Sequence, residues 1–142
     1  MKIGRRTLNV ERPTSNGQRE SPKHAFDLEE RLLEYATRIC RPTEKLPRTR
    51  AGNHVAKQLL RSGTSPLPNH GEAQAAESRE DFLHKMRICL KELRETKRWL
   101  LLAQRMPLIR SSAMLAPLLQ ETEELIRIFV VSVRTAASKL RP

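Results

Sequence analysis

Apolar residues along this chain recur at three- and four-residue spacings and nowhere alternate, a pattern that predicts helices and no strands. Leu28, Leu32, Tyr35, Ala36 and Ile39 make the first stripe. Asp27, with Glu30 three residues on, has the form of a capping box that would start this helix. The helix is expected to stop near Arg41, because the residue before a proline is pushed out of helical geometry; the alternative carries Pro42 as a late kink and ends at Glu44 to Lys45. A second stripe uses Val55, Leu59 and Leu60, with Ala51, Ala56 and Ser62 beside them.

Breakers crowd the next stretch, since Gly63, Pro66, Pro68 and Gly71 fall close together before Glu72 to Ser78 reads helical again. Pro66 and Pro68 would leave the carbonyls of Ser62 and Thr64 without donors, and the hydroxyls of Ser62, Thr64 and Ser65 stand near enough to help. One kinked second helix is expected, against the plainer reading of a Gly/Pro loop between two short helices. The small residues Ser62, Gly63, Ser65, Ala73, Ala75 and Ala76 would let a neighbouring backbone come close.

Ser78 with Asp81 repeats the capping logic and opens a run free of glycine and proline to Met106. Its predicted core face is Phe82, Met86, Cys89, Leu90, Leu93, Leu100 and Leu101. An apolar strip of Ile88, Trp99 and Leu102 is left over, to be covered by another subunit or by a neighbouring helix of the same bundle. Pro107 ends this run, Ser111 or Ser112 can cap the next, and Pro117 suits a first helical turn. The last stripe, Leu118, Leu119, Leu125, Ile126, Phe129, Val130, Val133, Ala136 and Ala137, is wider than one antiparallel neighbour requires. The expected fold is therefore all-α: an antiparallel, up-down-up-down four-helix bundle over residues 26–140, with its second helix kinked near Pro66 and Pro68.

Residues 1–25 show no sustained periodicity and are rich in Arg, Ser, Asn, Gly and Pro, so a disordered basic arm is expected. Six Lys/Arg against two Asp/Glu give this arm +4, and 21 against 14 give the remainder +7. A net +11 points to polyanionic partners, nucleic acid ahead of an anionic membrane, unless the charge is only a solvated surface. Two cationic ridges follow from helical spacing: Arg50, Lys57 and Arg61, with His54, and then Arg87, Lys91, Arg94 and Arg98. Glu92 and Glu95 lie among the second set and are expected to pair with cations on their own helix.

Cys40 and Cys89 each continue an apolar stripe without a CxxC spacing, so buried reduced thiols are expected and a disulfide scaffold is not. No apolar run reaches the roughly 18 residues of a membrane span, and a cytoplasmic protein is expected. No metal, cofactor or catalytic site is expected either: His24, His54, His70 and His84 assemble no recognised ligand or nucleophile–base pattern with the cysteines and acids.

The run Arg61-Ser62-Gly63-Thr64-Ser65-Pro66, then Asn69 and Glu72-Ala73-Gln74, with Phe82-Leu83-His84-Lys85-Met86 and Leu90-Lys91-Glu92-Leu93-Arg94-Glu95-Thr96, resembles the four helix bundle protein family. That family is also called the 23S rRNA intervening-sequence protein family. The resemblance spans about residues 26–140 and departs at Leu67, Pro68 and His70. It implies a ring-like homopentameric bundle, and family members are encoded within inserts of ribosomal RNA genes. The chain is also similar to the accessory proteins of diversity-generating reverse transcriptases, so RNA, DNA or a reverse transcriptase are the implied partners. Arg61, Gly63, Pro66, Asn69 and Glu72 match the family motif around the predicted kink. Arg61, Asn69 and Glu72 have two readings, as partners for a broken backbone or as part of a nucleic-acid surface.

Overall fold

A computed structural model of the protein describes residues 23–106 and 113–140. The helices are α1 (Lys23–Lys45), α2 (Arg50–Thr64), α3 (Pro66–Gln74), α4 (Arg79–Arg105) and α5 (Leu115–Ser138), and the described residues contain no strand. The expected arm lies, apart from its last residues, outside the described residues, as do Pro107 and the capping serines Ser111 and Ser112.

Helix α1 begins at Lys23, so Asp27 sits inside it and does not cap it. It also does not stop near Arg41 as expected but continues through Pro42, which is buried, to Lys45. Losing one backbone donor in a last turn is tolerable where the proline ring gains burial. The Thr49 hydroxyl accepts from Gly52 N–H at 3.0 Å and starts α2. Ser78 does the same for Asp81 N–H at 3.1 Å, with Glu80 and Asp81 in the first turn of α4, where the helix dipole favours negative charge.

Between α2 and α3 stands a single residue, Ser65, which keeps right-handed helical dihedrals (φ −58°, ψ −38°). Its N–H donates to the Arg61 carbonyl at 3.1 Å, and its carbonyl accepts from Asn69 N–H at 3.3 Å. The Asn69 side-chain amide adds bonds to the Ser65 carbonyl (2.9 Å) and hydroxyl (3.0 Å). The Cys89 thiol donates to the Pro66 carbonyl at 3.6 Å. The Asn69 amide and the Cys89 thiol thus reinforce the Ser65 and Pro66 carbonyls, not the Ser62 and Thr64 carbonyls that the prolines deprive of their usual donors, and the Thr64 hydroxyl donates back to Leu60 and Arg61. A Cβ at Gly63 would come within 2.7 Å of Ile39, so the absence of a side chain there lets α2 lie close on α1.

Four rods surround one core: α1 packs on α2, α2 and α3 on α4, α4 on α5, and α5 returns to α1. The core is built from Leu32, Tyr35, Ile39, Leu59, Leu93, Leu100, Leu118, Leu125 and Phe129, with others from every helix. Two hydroxyl pairs cross it. The Tyr35 hydroxyl meets Thr122 Oγ1 at 2.6 Å between α1 and α5, and the Thr96 hydroxyl donates to Ser62 Oγ at 2.9 Å between α4 and α2.

Two assignments on α4 and one on α1 change. Leu101 is 44 % exposed and Phe82 only half-buried, while Leu83, Thr96 and Ala103 lie inside. Cys40 is exposed and only Cys89 is buried, where burial pushes its thiol up to about 12.

Candidate nucleic-acid interface

Helix α4 is unbroken for 27 residues, so side chains at i, i+4, i+7 and i+11 share one face. Arg87, Lys91, Arg94 and Arg98 have that spacing, are all exposed, and span about 16 Å at 1.5 Å per residue. They line a groove of about 530 Å³ whose remaining walls include Leu90 and Glu95 of α4 and Val133 of α5. Among the described residues none of the four cations forms an ion pair. Arg98 Nη1 is steadied by the Arg94 carbonyl at 3.0 Å, a bond that fixes the guanidinium without neutralising it.

The acids are spent elsewhere, at contacts between helices. Arg31 of α1 bridges Glu121 (2.6 Å) and Glu124 (2.7 Å) of α5, and Lys97 of α4 meets Glu123 at 3.3 Å. Lys85 of α4 pairs with Glu72 of α3. Glu92 (3.0 Å) and Glu95 of α4 both hold the guanidinium of Arg61 on α2. The expected pairing within α4 is not what forms: helical spacing offers cations to Glu95 (Lys91 and Arg98) but none to Glu92, and the packing of α2 alongside offers both a guanidinium able to serve them at once.

Arg50 and Lys57 are exposed on α2, where among the described residues they have no ion pair. The predicted α2 ridge is therefore divided: two open cations and one, Arg61, engaged across the seam. The motif residues sort by contact. Gly63 admits Ile39, Pro66 is buried, Asn69 bonds Ser65, and Glu72 reaches Lys85.

Trp99 is half-buried against the core, with its ring edge-on to His54 of α2 at 5.5 Å. Of the leftover strip, open to a second subunit or to a neighbouring helix, Trp99 is covered within its own bundle, Ile88 is half-buried and Leu102 is 38 % exposed. His70 lies outside the predicted core, yet it is 1 % exposed, edge-on to Phe129, with Nδ1 unpartnered; burial holds its pKa below the ordinary value. The available signal was its place four residues after Pro66 on the inward stripe.

Among the described residues no group of three or more His, Cys, Asp or Glu side chains is placed to hold a metal. None of the described helices is long and apolar enough to cross a membrane. What the α4–α5 groove offers is fixed positive charge beside an apolar wall, chemistry compatible with contacts to a run of anions.

Over residues 26–130 the sequence matches the family described as 23S rRNA-intervening sequence protein. The fold is similar to that of a protein with unknown function from the S23 ribosomal protein family of Bacteroides thetaiotaomicron, at 32 % identity and a TM-score of 0.70. That similarity covers 78 % of this chain and 97 % of the other. No curated protein matches the chain.

Proposed function

The chain belongs to the 23S rRNA-intervening sequence protein family, and from that premise we propose that it is a non-enzymatic protein that binds RNA or DNA through phosphate contacts along the α4–α5 groove. The observation that carries this reading is the row Arg87, Lys91, Arg94 and Arg98, free of ion pairs among the described residues while four acids on the same bundle are tied up in the α1–α5 and α2–α4 seams. Arg50 and Lys57 add a weaker second contact strip on α2. Binding is electrostatic and indifferent to sequence, since the single Trp packs on His54 and the single Tyr is buried, leaving neither to stack on bases.

In the same proposal α2 and α3 act as one rod kinked at Ser65, in an antiparallel up-down-up-down bundle. Copies assemble into a cytoplasmic homo-oligomer, a pentamer by family resemblance, which repeats the groove and raises avidity. Light scattering of a monomer at micromolar concentration removes the assembly. The test of function is a salt titration of binding to structured RNA, single-stranded RNA and duplex DNA, beside a variant carrying Lys91→Glu, Arg94→Glu and Arg98→Glu. The parent should lose about 0.7 to 0.9 log units of affinity per log unit of salt for each phosphate neutralised, and the variant should bind too weakly to measure. Equal affinity and salt slope for parent and variant exclude the groove.

A second reading, a protein-interaction scaffold such as a reverse-transcriptase partner, draws on the other end of the α4–α5 seam. There Val131 is 62 % exposed beside Phe82, lining a pocket of about 370 Å³ with Ala136 and with Arg79 and Lys139 at its walls, an apolar patch flanked by cations that suits a protein partner. It prevails when no nucleic acid binds at low salt.

A further inference from the structure

Arg61 and Glu95 stand at the edge of the groove in a relation that charge counting alone does not reveal. Glu95 is both a wall of the groove and a partner of Arg61, with its side chain 38 % exposed. Glu92, the other partner, is only 14 % exposed and has no cation three or four residues away on α4. Glu95, by contrast, is four residues after Lys91 and three before Arg98, both spacings at which unlike charges meet on a helix. Its carboxylate thus has two possible engagements, with Arg61 across the α2–α4 seam or with Lys91 and Arg98 in the groove. The first is the one observed.

We infer that Arg61 is a positioning residue for anion binding: with Glu92 as its anchor, it draws the Glu95 carboxylate toward α2 and so keeps Lys91 and Arg98 open to phosphate. Arg61 touches no phosphate itself. Its guanidinium already donates to Gln58 (3.2 Å), Glu92 (3.0 Å) and Glu95, which occupies three of its nitrogens, and Arg61 is not one of the groove's lining residues. Losing Arg61 would release Glu95 onto the groove cations and reduce the charge offered there, an effect of local pairing that rests on the groove being the phosphate site.

The test is fluorescence anisotropy with a short labelled RNA duplex at low salt, comparing the parent, Arg61→Gln, Glu95→Gln and the double variant, each with its melting curve. Arg61→Gln should weaken binding about threefold and Glu95→Gln should tighten it, because an acid leaves the groove. In the Glu95→Gln background, Arg61→Gln should change neither affinity nor salt slope. A direct phosphate contact predicts the opposite: the same loss in both backgrounds and a slope lower by about 0.7 to 0.9, which overturns the inference while leaving the groove in place. Glu95→Gln that fails to tighten binding overturns it too, independently of whether Arg61→Gln folds. A parent that does not bind the duplex at all removes the groove reading, and this inference with it.

Discussion

On its α2-facing side α4 presents Glu92 and Glu95, both held by Arg61, with the Ser62–Thr96 hydroxyl pair buried behind them. On the flank that meets α5 it presents Arg87, Lys91, Arg94 and Arg98, and the one ion pair described across that seam is Lys97 to Glu123. The same helix therefore closes one seam with opposite charges in contact, two carboxylates on one guanidinium, and leaves the other with a row of like charge. Like charges at helical spacing destabilise a helix by about 0.2–0.5 kcal/mol per pair, so the open row weakens α4 slightly while the closed seam supports it. A stretch that costs stability and has room in front of it points to a ligand; a stretch whose charges are matched points to packing.

The core shared by both seams sets the largest effect. Phe129→Ala, at a residue with 0 % exposure, should cost about 3–5 kcal/mol and melt both seams together in a single transition followed by circular dichroism. Separate transitions for the two seams would break the comparison, since it assumes one cooperative bundle. At the closed seam, Thr96→Val removes the donor to Ser62 inside the protein and should cost about 1–3 kcal/mol in denaturant melts without changing phosphate binding.

His70 sharpens the comparison by pH, since it is buried at the α3 side of the core. Burial lowers its folded pKa below the ordinary 6.5, so the unfolded chain takes up the proton first. The stability it contributes is complete above 6.5 and is lost as pH falls from there through the lowered folded value. Denaturant midpoints should drop over that range in the parent and drop less in His70→Leu; equal slopes would show that another group governs acid sensitivity.

Smaller effects remain for the charges themselves. Arg61→Gln should cost no more than about 1 kcal/mol, because the Arg61 side chain is 47 % exposed and the pairs are screened by solvent. Lys91→Glu should stabilise the bundle by about 0.2–0.5 kcal/mol as the like-charge row is broken, while weakening nucleic-acid binding. A variant that lost both stability and binding would mean the row is part of the packing and not an open site.

Much of the fold was legible because helical phase is a local property. The four apolar stripes, the Ser78 cap and the face shared by Arg87, Lys91, Arg94 and Arg98 need only spacing and an uninterrupted backbone. The start of α1 was not legible, since Asp27 has the form of a cap but the chain is already helical four residues earlier. A capping pattern states that a start is favourable there; it does not prevent the preceding turn from being helical when packing supports it.

Leu101 and Leu83 mark where phase alone fails: both are near the rim of the predicted face, yet Leu83 is buried and Leu101 is not, because neighbouring helices cover one stretch of that rim and not the other. The same holds for charge. Spacing placed Glu95 within reach of Lys91 and Arg98, and only the proximity of α2 gave it Arg61 instead. So too with Trp99, which has an apolar face to cover and finds His54, and with His70, a polar ring buried against Phe129. The sequence by itself determined which residues share a face of each helix, because 3.6 residues per turn is a constant of the backbone. Which helix lies across from that face, and hence which charges are matched and which stay open, was decided by tertiary packing, because opposing partners, from Glu72 and Lys85 to Arg31 and Glu124, stand too far apart in the chain for any local period to connect them.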